Sequence, residues 1–415
     1  MARTRALAAL CVVVGALYLG YFAWLAVAGR FLPVDFDAFY TGAALLRDGH
    51  SARLYDLALQ ARYQLDLLGR LPLNGNVLPF VSPPHLAVVL LPLAYLPLGA
   101  AFAAWTLLQL VLVVWLAREC ARPCATTAGR ITVFCALAAF PMLFVTLYKG
   151  QVSLVVLVSL LAWMRALEGG RDGAMATALL IGTVKPQMIL VPLLITACQR
   201  RGRALVLFTG GGFLLVALAA AVAGPGSLVA FLDTTRRLDA SFDDRIVYPA
   251  YMYNFKGALT LLLGIQPALI AAATRLALLL ALVATVALFW RRRQDDDTLP
   301  LRLALALLLG IFFSLHLYDY DALLLVAVAV AFDAHLHRFA PGWRAAFLGL
   351  VFAVPLLFLE DAWIDLGGRA VSWPAVLMVG WAIVMVAELL RRARRPPGVT
   401  HSTSSVPHAQ VSRPS

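Results

Sequence analysis

The chain has 415 residues, 62% of them hydrophobic and 13% charged, with a formal net charge of +12. A soluble domain carries roughly 45–50% apolar and about 25% charged residues, so this composition excludes a soluble enzyme and implies an integral membrane protein. The positive charge does not point to nucleic acid. It falls in short clusters between apolar runs (Arg200, Arg201 and Arg203; Arg291 to Arg293; Arg391, Arg392, Arg394 and Arg395), the pattern of loops retained in the cytoplasm and of contact with anionic lipid headgroups.

In chain order, Arg3 and Arg5 precede an apolar run from Ala6 to Ala28. That run is long enough to span and has no convincing small-residue cleavage site, so it reads as a retained signal-anchor helix with the N-terminus inside. The longest outer loop, 29–84, comes next. It holds helix-like segments at 37–47 and 54–69, then a turn-rich piece from Leu71 to Asn76. The second segment mixes leucines with Arg62, Asp66 and Arg70, which suits a helix lying on the bilayer surface.

Further apolar runs fall at 85–117, 131–148, 152–167, 174–198, 204–223, 268–290, 301–316, 322–336, 343–359 and 371–390. With 6–28 they make an all-α bundle of about 10–13 spanning helices. Two runs are ambiguous. Pro92 and Pro97 break the first, and Lys185-Pro186 interrupts 174–198, because proline removes a backbone donor and kinks a helix. The arginine-bearing loops at 118–130, 165–173, 199–203, 291–297, 337–344 and 391–395 are expected in the cytoplasm. The loops 29–84, 224–267 and 360–370, the turn at Lys149 to Gln151 and the junction 316–321 are expected outside. The organisation is one membrane domain over 1–395 in the cell membrane, then a disordered cytoplasmic tail at 396–415 rich in Pro, Ser and Thr. The five cysteines are an odd number with no zinc-type pairing and read as structural.

Few residues stand out against this background. Asp35 and Asp37 sit in Val34-Asp35-Phe36-Asp37-Ala38-Phe39-Tyr40, just past the first apolar run. A charge beside lipid is costly unless it is solvated, paired or used. One of the two is a general base, or Asp35 only caps the helix that begins near Asp37. Lys185 lies within an apolar stretch. It holds a phosphate as a point charge or snorkels to the surface. Ser314 to Asp321 places His316, Asp319 and Asp321 between apolar runs. This group would bind a divalent metal, hydrogen-bond a sugar, or mark where two spans meet water. Lys149 and Gln151 read first as turn residues, and His335 and His337 as solvated. The outer loop 224–267 mixes Arg236, Arg237, Arg245 and Lys256 with Phe242, Tyr248, Tyr251, Tyr253 and Phe255, a composition that suits sugar phosphates or an interfacial belt. There is no Gly-x-Gly-x-x-Gly unit and no Walker loop, so a nucleotide-sugar or ATP reaction is not expected and a lipid-borne donor is favoured.

Four blocks in order carry a family resemblance: Asp35 to Tyr40 with Leu54-Tyr55-Asp56 after it; Pro83-Pro84 opening a run that ends Leu96-Pro97; Gly150-Gln151 between two spans; and Lys185-Pro186-Gln187. Over about 30–330 the chain resembles the membrane glycosyltransferases of the GT-C fold. It is most similar to family 87, which includes polyprenol-phosphate-mannose-dependent mannosyltransferases. It departs from many relatives in having Val152 after Gly-Gln, where they have asparagine. The resemblance implies transfer of a sugar, mannose or another hexose or pentose, from a polyprenyl phosphate to an acceptor hydroxyl on a lipid or glycan at the outer face. It implies Asp35 as general base with Asp37 as runner-up. Lys185, Gln151, His316, Asp319, Asp321 and Tyr40 would contact substrate, with no cofactor. The chemistry agrees, since the phosphate leaves already charged and needs electrostatic stabilisation more than an acid. The rival readings are a secondary transporter or lipid flippase, favoured by the broken helix at Lys185-Pro186 but not by any visible internal repeat, and a non-catalytic scaffold.

Overall fold

The computed structural model describes residues 34–69, 71–72, 75–240, 252–290, 297–336, 363–365, 367 and 369–393, together with parts of 9–24. Most of the first expected span, the span at 343–359, the arginines at 291–293, Phe242, Arg245, Tyr248, Tyr251, His337 and the tail lie outside the described residues.

The fold is helical throughout the described bundle, and prolines decide where helices begin. Pro84, Pro141, Pro186 and Pro267 each occupy the first turn of a helix, where the missing N–H has no intrahelical partner and the fixed φ suits helical geometry. The segment expected outside folds as α1 (Val34–Arg47) and α2 (Leu57–Leu68). Helix α2 starts on Asp56, whose carboxylate accepts from the Leu59 N–H at 3.1 Å, and stops at left-handed Gly69. Its Gln60 and Gln64 are buried. They bind the 78–80 strand-like segment through the Leu78 N–H, the Leu78 carbonyl and the Phe80 N–H. The buried amides thereby satisfy backbone that would otherwise be left unpaired.

The run at 85–117 resolves into α3 (Pro84–Leu90), a 3₁₀ turn (Leu91–Tyr95) and α4 (Leu98–Ala121). The run at 131–148 becomes α5 (Thr127–Ala138) and α6 (Pro141–Lys149), bent by 52° at Pro141. After α7 (Ser153–Glu168), the run at 174–198 is not one helix. It divides into α8 (Asp172–Gly182) and α9 (Pro186–Cys198), with Lys185 at the break. Then come α10 (Gly202–Ala223), α11 (Gly226–Ala240), α12 (Phe255–Leu263), α13 (Pro267–Phe289), α14 (Leu299–Phe312), a 3₁₀ turn (Asp319–Leu324), α15 (Leu325–Leu336) and α16 (Trp373–Ala393). A two-stranded hairpin pairs Trp363–Asp365 with Ala370–Ser372. Helix α11 was not expected from the sequence, because its seven charged or polar positions dilute the apolar signal.

Among the described residues four helices are long and apolar enough to cross a membrane, and the bent α5–α6 pair makes a fifth. The chain is a multi-pass all-α membrane protein. Helices α8 and α9, with 11 and 13 residues, are about 17 and 20 Å long at 1.5 Å per residue. Neither covers the roughly 30 Å hydrocarbon core alone.

Two apolar cores hold these elements. One joins α1, α2, α3 and the first half of α4 around Phe36, Tyr40, Phe80 and Trp105. The other joins α7, α8, α9, α14 and α15 around Trp163, Leu157 and Leu307. Val152 belongs to the first and Leu154 to the second, so the start of α7 is the seam between them.

Candidate functional site

The seam collects most of the polar groups that the sequence singled out. Phe36 on α1 packs edge-on against Phe102 at 5.3 Å and faces Trp105 at 6.3 Å, both on α4. Trp105 and Gln109 lie one helical turn apart on α4. Their side chains donate to the carbonyl oxygens of Gly150 (2.8 Å) and Gln151 (3.0 Å). These two bonds clamp the link between α6 and α7 under the start of α1. Gly150 has φ +72°, and a Cβ there would lie 2.7 Å from Phe36 Cβ. Only glycine accepts both the left-handed conformation and that approach.

Asp35 therefore stands over the Gly150-Gln151 link. Helix α1 begins at Val34, so Asp35 and Asp37 lie in its first turn and not ahead of it as caps, a position where the helix dipole favours a carboxylate. Asp35 is half-buried and lies within hydrogen-bonding reach of the Gln151 side chain. Burial pushes its carboxyl up to about 6, against the lowering effects of Lys149, Gln151 and Lys185 and with a raising effect from Asp319. Asp37 is 2% exposed.

The opposing wall is built from three elements. Lys149, the last residue of α6, binds both carboxylate oxygens of Asp319 at 3.1 and 2.9 Å. Lys185, which opens α9, is hydrogen-bonded to Ser153 Oγ at 3.1 Å and ion-paired with Asp321. Ser153 Oγ in turn donates to Asp321 Oδ1 at 2.6 Å. Both ammonium groups lie over the Tyr320 ring, Lys149 at 5.1 Å and Lys185 at 4.8 Å from its centroid. The turn that presents Asp319 to Asp321 is fixed from two sides. Thr146 on α6 donates to the Tyr320 carbonyl at 3.3 Å, and Asp321 Oδ2 accepts from the Tyr318 N–H at 3.4 Å. Upstream, Tyr253 N–H donates to the Leu317 carbonyl at 3.0 Å, and the Asn254 side chain to the Ser314 carbonyl at 2.7 Å. A Cβ on Gly257 would lie 2.1 Å from the Met252 carbonyl oxygen, so this crossing also depends on a glycine.

The structure thus brings together Asp35, Gln151, Lys185, Asp319 and Asp321. It adds Lys149, read from sequence as a turn residue, and Ser153, which the sequence reading passed over. The only local hint for Ser153 is its place directly after Gly-Gln-Val at a helix start. Tyr40 lies elsewhere: its hydroxyl donates to the Leu96 carbonyl at 2.7 Å, which ties α1 to the 3₁₀ turn after α3. His316 is partly exposed, and its carbonyl accepts from Ser314 Oγ. Among the described residues no group of three His, Cys, Asp or Glu side chains is placed to hold a metal ion, and Asp319 and Asp321 are each engaged by a lysine.

This cluster lies at one end of α7. The other end carries arginine pairs: Arg165 with Glu119 at 2.9 Å, Arg122 with Glu119 at 3.1 Å and, nearby, Arg201 with Asp172 at 3.9 Å. The 16 residues of α7 separate the two ends by about 24 Å.

Comparison with known proteins agrees with this arrangement. The sequence profile of glycosyltransferase family 87 matches residues 80–315, a stretch that contains Lys149, Gln151, Ser153 and Lys185. It ends just before the turn bearing Asp319 and Asp321, and begins after Asp35. No curated protein and no solved structure matches the chain. The profile covers more than half of the molecule, and the chain belongs to glycosyltransferase family 87.

Proposed function

We propose that the protein transfers a sugar from a polyprenyl-phosphate donor to an acceptor hydroxyl on a lipid or glycan at the outer face of the cell membrane. The single observation that carries this reading is the convergence of one half-buried carboxylate, Asp35, with two lysines at the seam between the two cores. Asp35 is the general base. It takes the proton of the acceptor hydroxyl as that oxygen attacks the anomeric carbon. The bond from that carbon to the phosphate oxygen breaks, and the electron pair leaves with the polyprenyl phosphate. Lys185 and Lys149 lie where that growing negative charge needs a partner. Asp37, deeper in α1, is the second choice for the base. Gln151 orients Asp35 through the hydrogen bond between their side chains.

Charge supports the assignment of sides. The arginine end of α7 has the character of retained cytoplasmic loops, in keeping with Asp35 and the lysines outside and both termini inside. Mannose or another hexose or pentose is the expected sugar. The break at Lys185 also suits a transporter, but family membership favours the transferase.

The test is incubation of purified protein with a panel of labelled polyprenyl-phosphate sugars and a membrane-lipid extract, with products read by mass spectrometry. A covalent glycosylated product, absent from Asp35→Asn, is expected. Vesicle uptake of labelled lipid with no covalent product would replace the transferase by a flippase. Wild-type rates in both Asp35→Asn and Asp37→Asn would remove the base assignment.

A further inference from the structure

The two lysine–aspartate pairs are not independent, because one aromatic ring lies between them. Tyr320 sits in the turn between Asp319 and Asp321. The residue before it therefore binds Lys149, the residue after it binds Lys185, and the two ammonium groups lie 5.1 and 4.8 Å from its ring centroid. The Tyr320 carbonyl lies 3.3 Å from the Thr146 hydroxyl, and its ring lies 5.8 Å from the Tyr318 ring. Lys149 and Lys185 lie 36 positions apart in sequence, at the end of α6 and the start of α9. Two cations placed on one ring repel each other. They stay there because each has its own counterion and because a π face attracts both.

Building on the polyprenyl-phosphate reading, we infer that Tyr320 is the positioning residue of a two-ammonium clamp for the donor phosphate. Asp319 and Asp321 act as internal counterions that keep the clamp assembled when no donor is present. The phosphate then meets cations already in place, with no need to collect two flexible side chains, and this preorganisation is what lowers the cost of binding. The role belongs to the ring, not to the hydroxyl, so phenylalanine should replace tyrosine and an aliphatic residue should not.

The experiment measures affinity of the full-length purified protein for farnesyl monophosphate, with farnesol as the phosphate-free control. Tyr320→Phe is expected to stay within about twofold of wild type. Tyr320→Leu is expected to weaken farnesyl monophosphate binding roughly 3- to 30-fold, the range of a partly to fully desolvated cation–π contact, while farnesol binding is unchanged. Tyr320→Met is the second aliphatic variant should leucine lower the unfolding temperature. A merely structural tyrosine would alter farnesol and farnesyl monophosphate alike, and that result overturns the clamp. Equal affinity in wild type, Tyr320→Leu and Tyr320→Met overturns it as well. Wild-type protein that prefers farnesyl monophosphate no more than farnesol removes the lipid-phosphate reading itself, and the clamp with it.

Discussion

The two ends of α7 hold ion pairs of opposite construction. At the arginine end, Arg122 pairs with Glu119 three residues away, Arg165 reaches the same Glu119 from α7, and Arg201 pairs with Asp172 at 3.9 Å. Their arginines keep partial contact with solvent and their partners lie at most 46 positions away, and solvent-exposed pairs contribute roughly 0–1 kcal/mol. At the lysine end, Lys185 meets Asp321 across 136 positions and Lys149 meets Asp319 across 170. The Lys185 and Asp321 side chains are only 13% and 4% exposed. A pair assembled from distant segments in a dry place is weak evidence of stabilisation, since desolvation offsets attraction. Its retention fits a site where charge is used. The arginine end is expected to meet solvent, and the lysine end is where chemistry is expected.

The largest expected effect tests that contrast at its centre. Asp35→Asn should lower transfer by about 10²–10⁴-fold, the usual contribution of a general base, while the unfolding temperature and donor binding stay near wild type. Radiolabel transfer with a thermal-shift control reads this directly. An equal loss from Arg122→Gln would erase the distinction between the ends.

Next comes Asp321→Leu. It strands Lys185 without its buried counterion, and breaking such a pair costs about 3–5 kcal/mol. The unfolding temperature should drop sharply, and Asp321→Leu combined with Lys185→Met should recover much of the loss. Failure of the double variant to recover would mean that Asp321 matters through Ser153 and the Tyr318 backbone rather than through charge.

A smaller effect is expected at Gly150. Gly150→Ala places a Cβ against Phe36 in a left-handed conformation, which costs roughly 1–2 kcal/mol from the backbone alone, and shifts the floor beneath Asp35. Both stability and transfer should fall, whereas Gly173→Ala, with open space around it, should change neither.

The pH profile sharpens the comparison without mutation. With Asp35 raised to about 6, the base is ionised above that value. Transfer should level off above pH 6 and fall about tenfold per unit below it. The same raised carboxyl is a small liability for the fold, because ionising it between pH 4 and 6 is harder in the folded state, so its contribution to stability declines as pH rises through that window. The smallest effect is Arg122→Gln at the arginine end, where a change within about 0.5 kcal/mol is expected by thermal unfolding.

Much of this was legible before folding. Apolar run lengths identified a multi-pass helical protein, and the outer helices fell close to 37–47 and 54–69. Asp35, Lys185 and the 314–321 segment stood out because charges are rare in such a chain. Other features were not legible. The interruption at Lys185-Pro186 was legible and does divide 174–198, but the break at Pro141 within 131–148 was not singled out. Lys149 looked like a turn lysine, since its partner is 170 positions away. Tyr40 looked like a site residue because it follows Asp35 and Asp37, but one helical turn carries its hydroxyl to the Leu96 carbonyl.

The sequence by itself determined the solvent this protein lives in, the helical class and the short list of charged residues, because hydrophobic run length and the cost of charge in lipid are properties of local composition. Tertiary structure alone decided which lysine meets which aspartate, that Gly150 admits Phe36, and that Asp35 faces a pair of cations across the seam. Those are contacts between segments far apart in the chain. Packing of two cores against each other fixes them, and no periodicity along one strand of sequence records that.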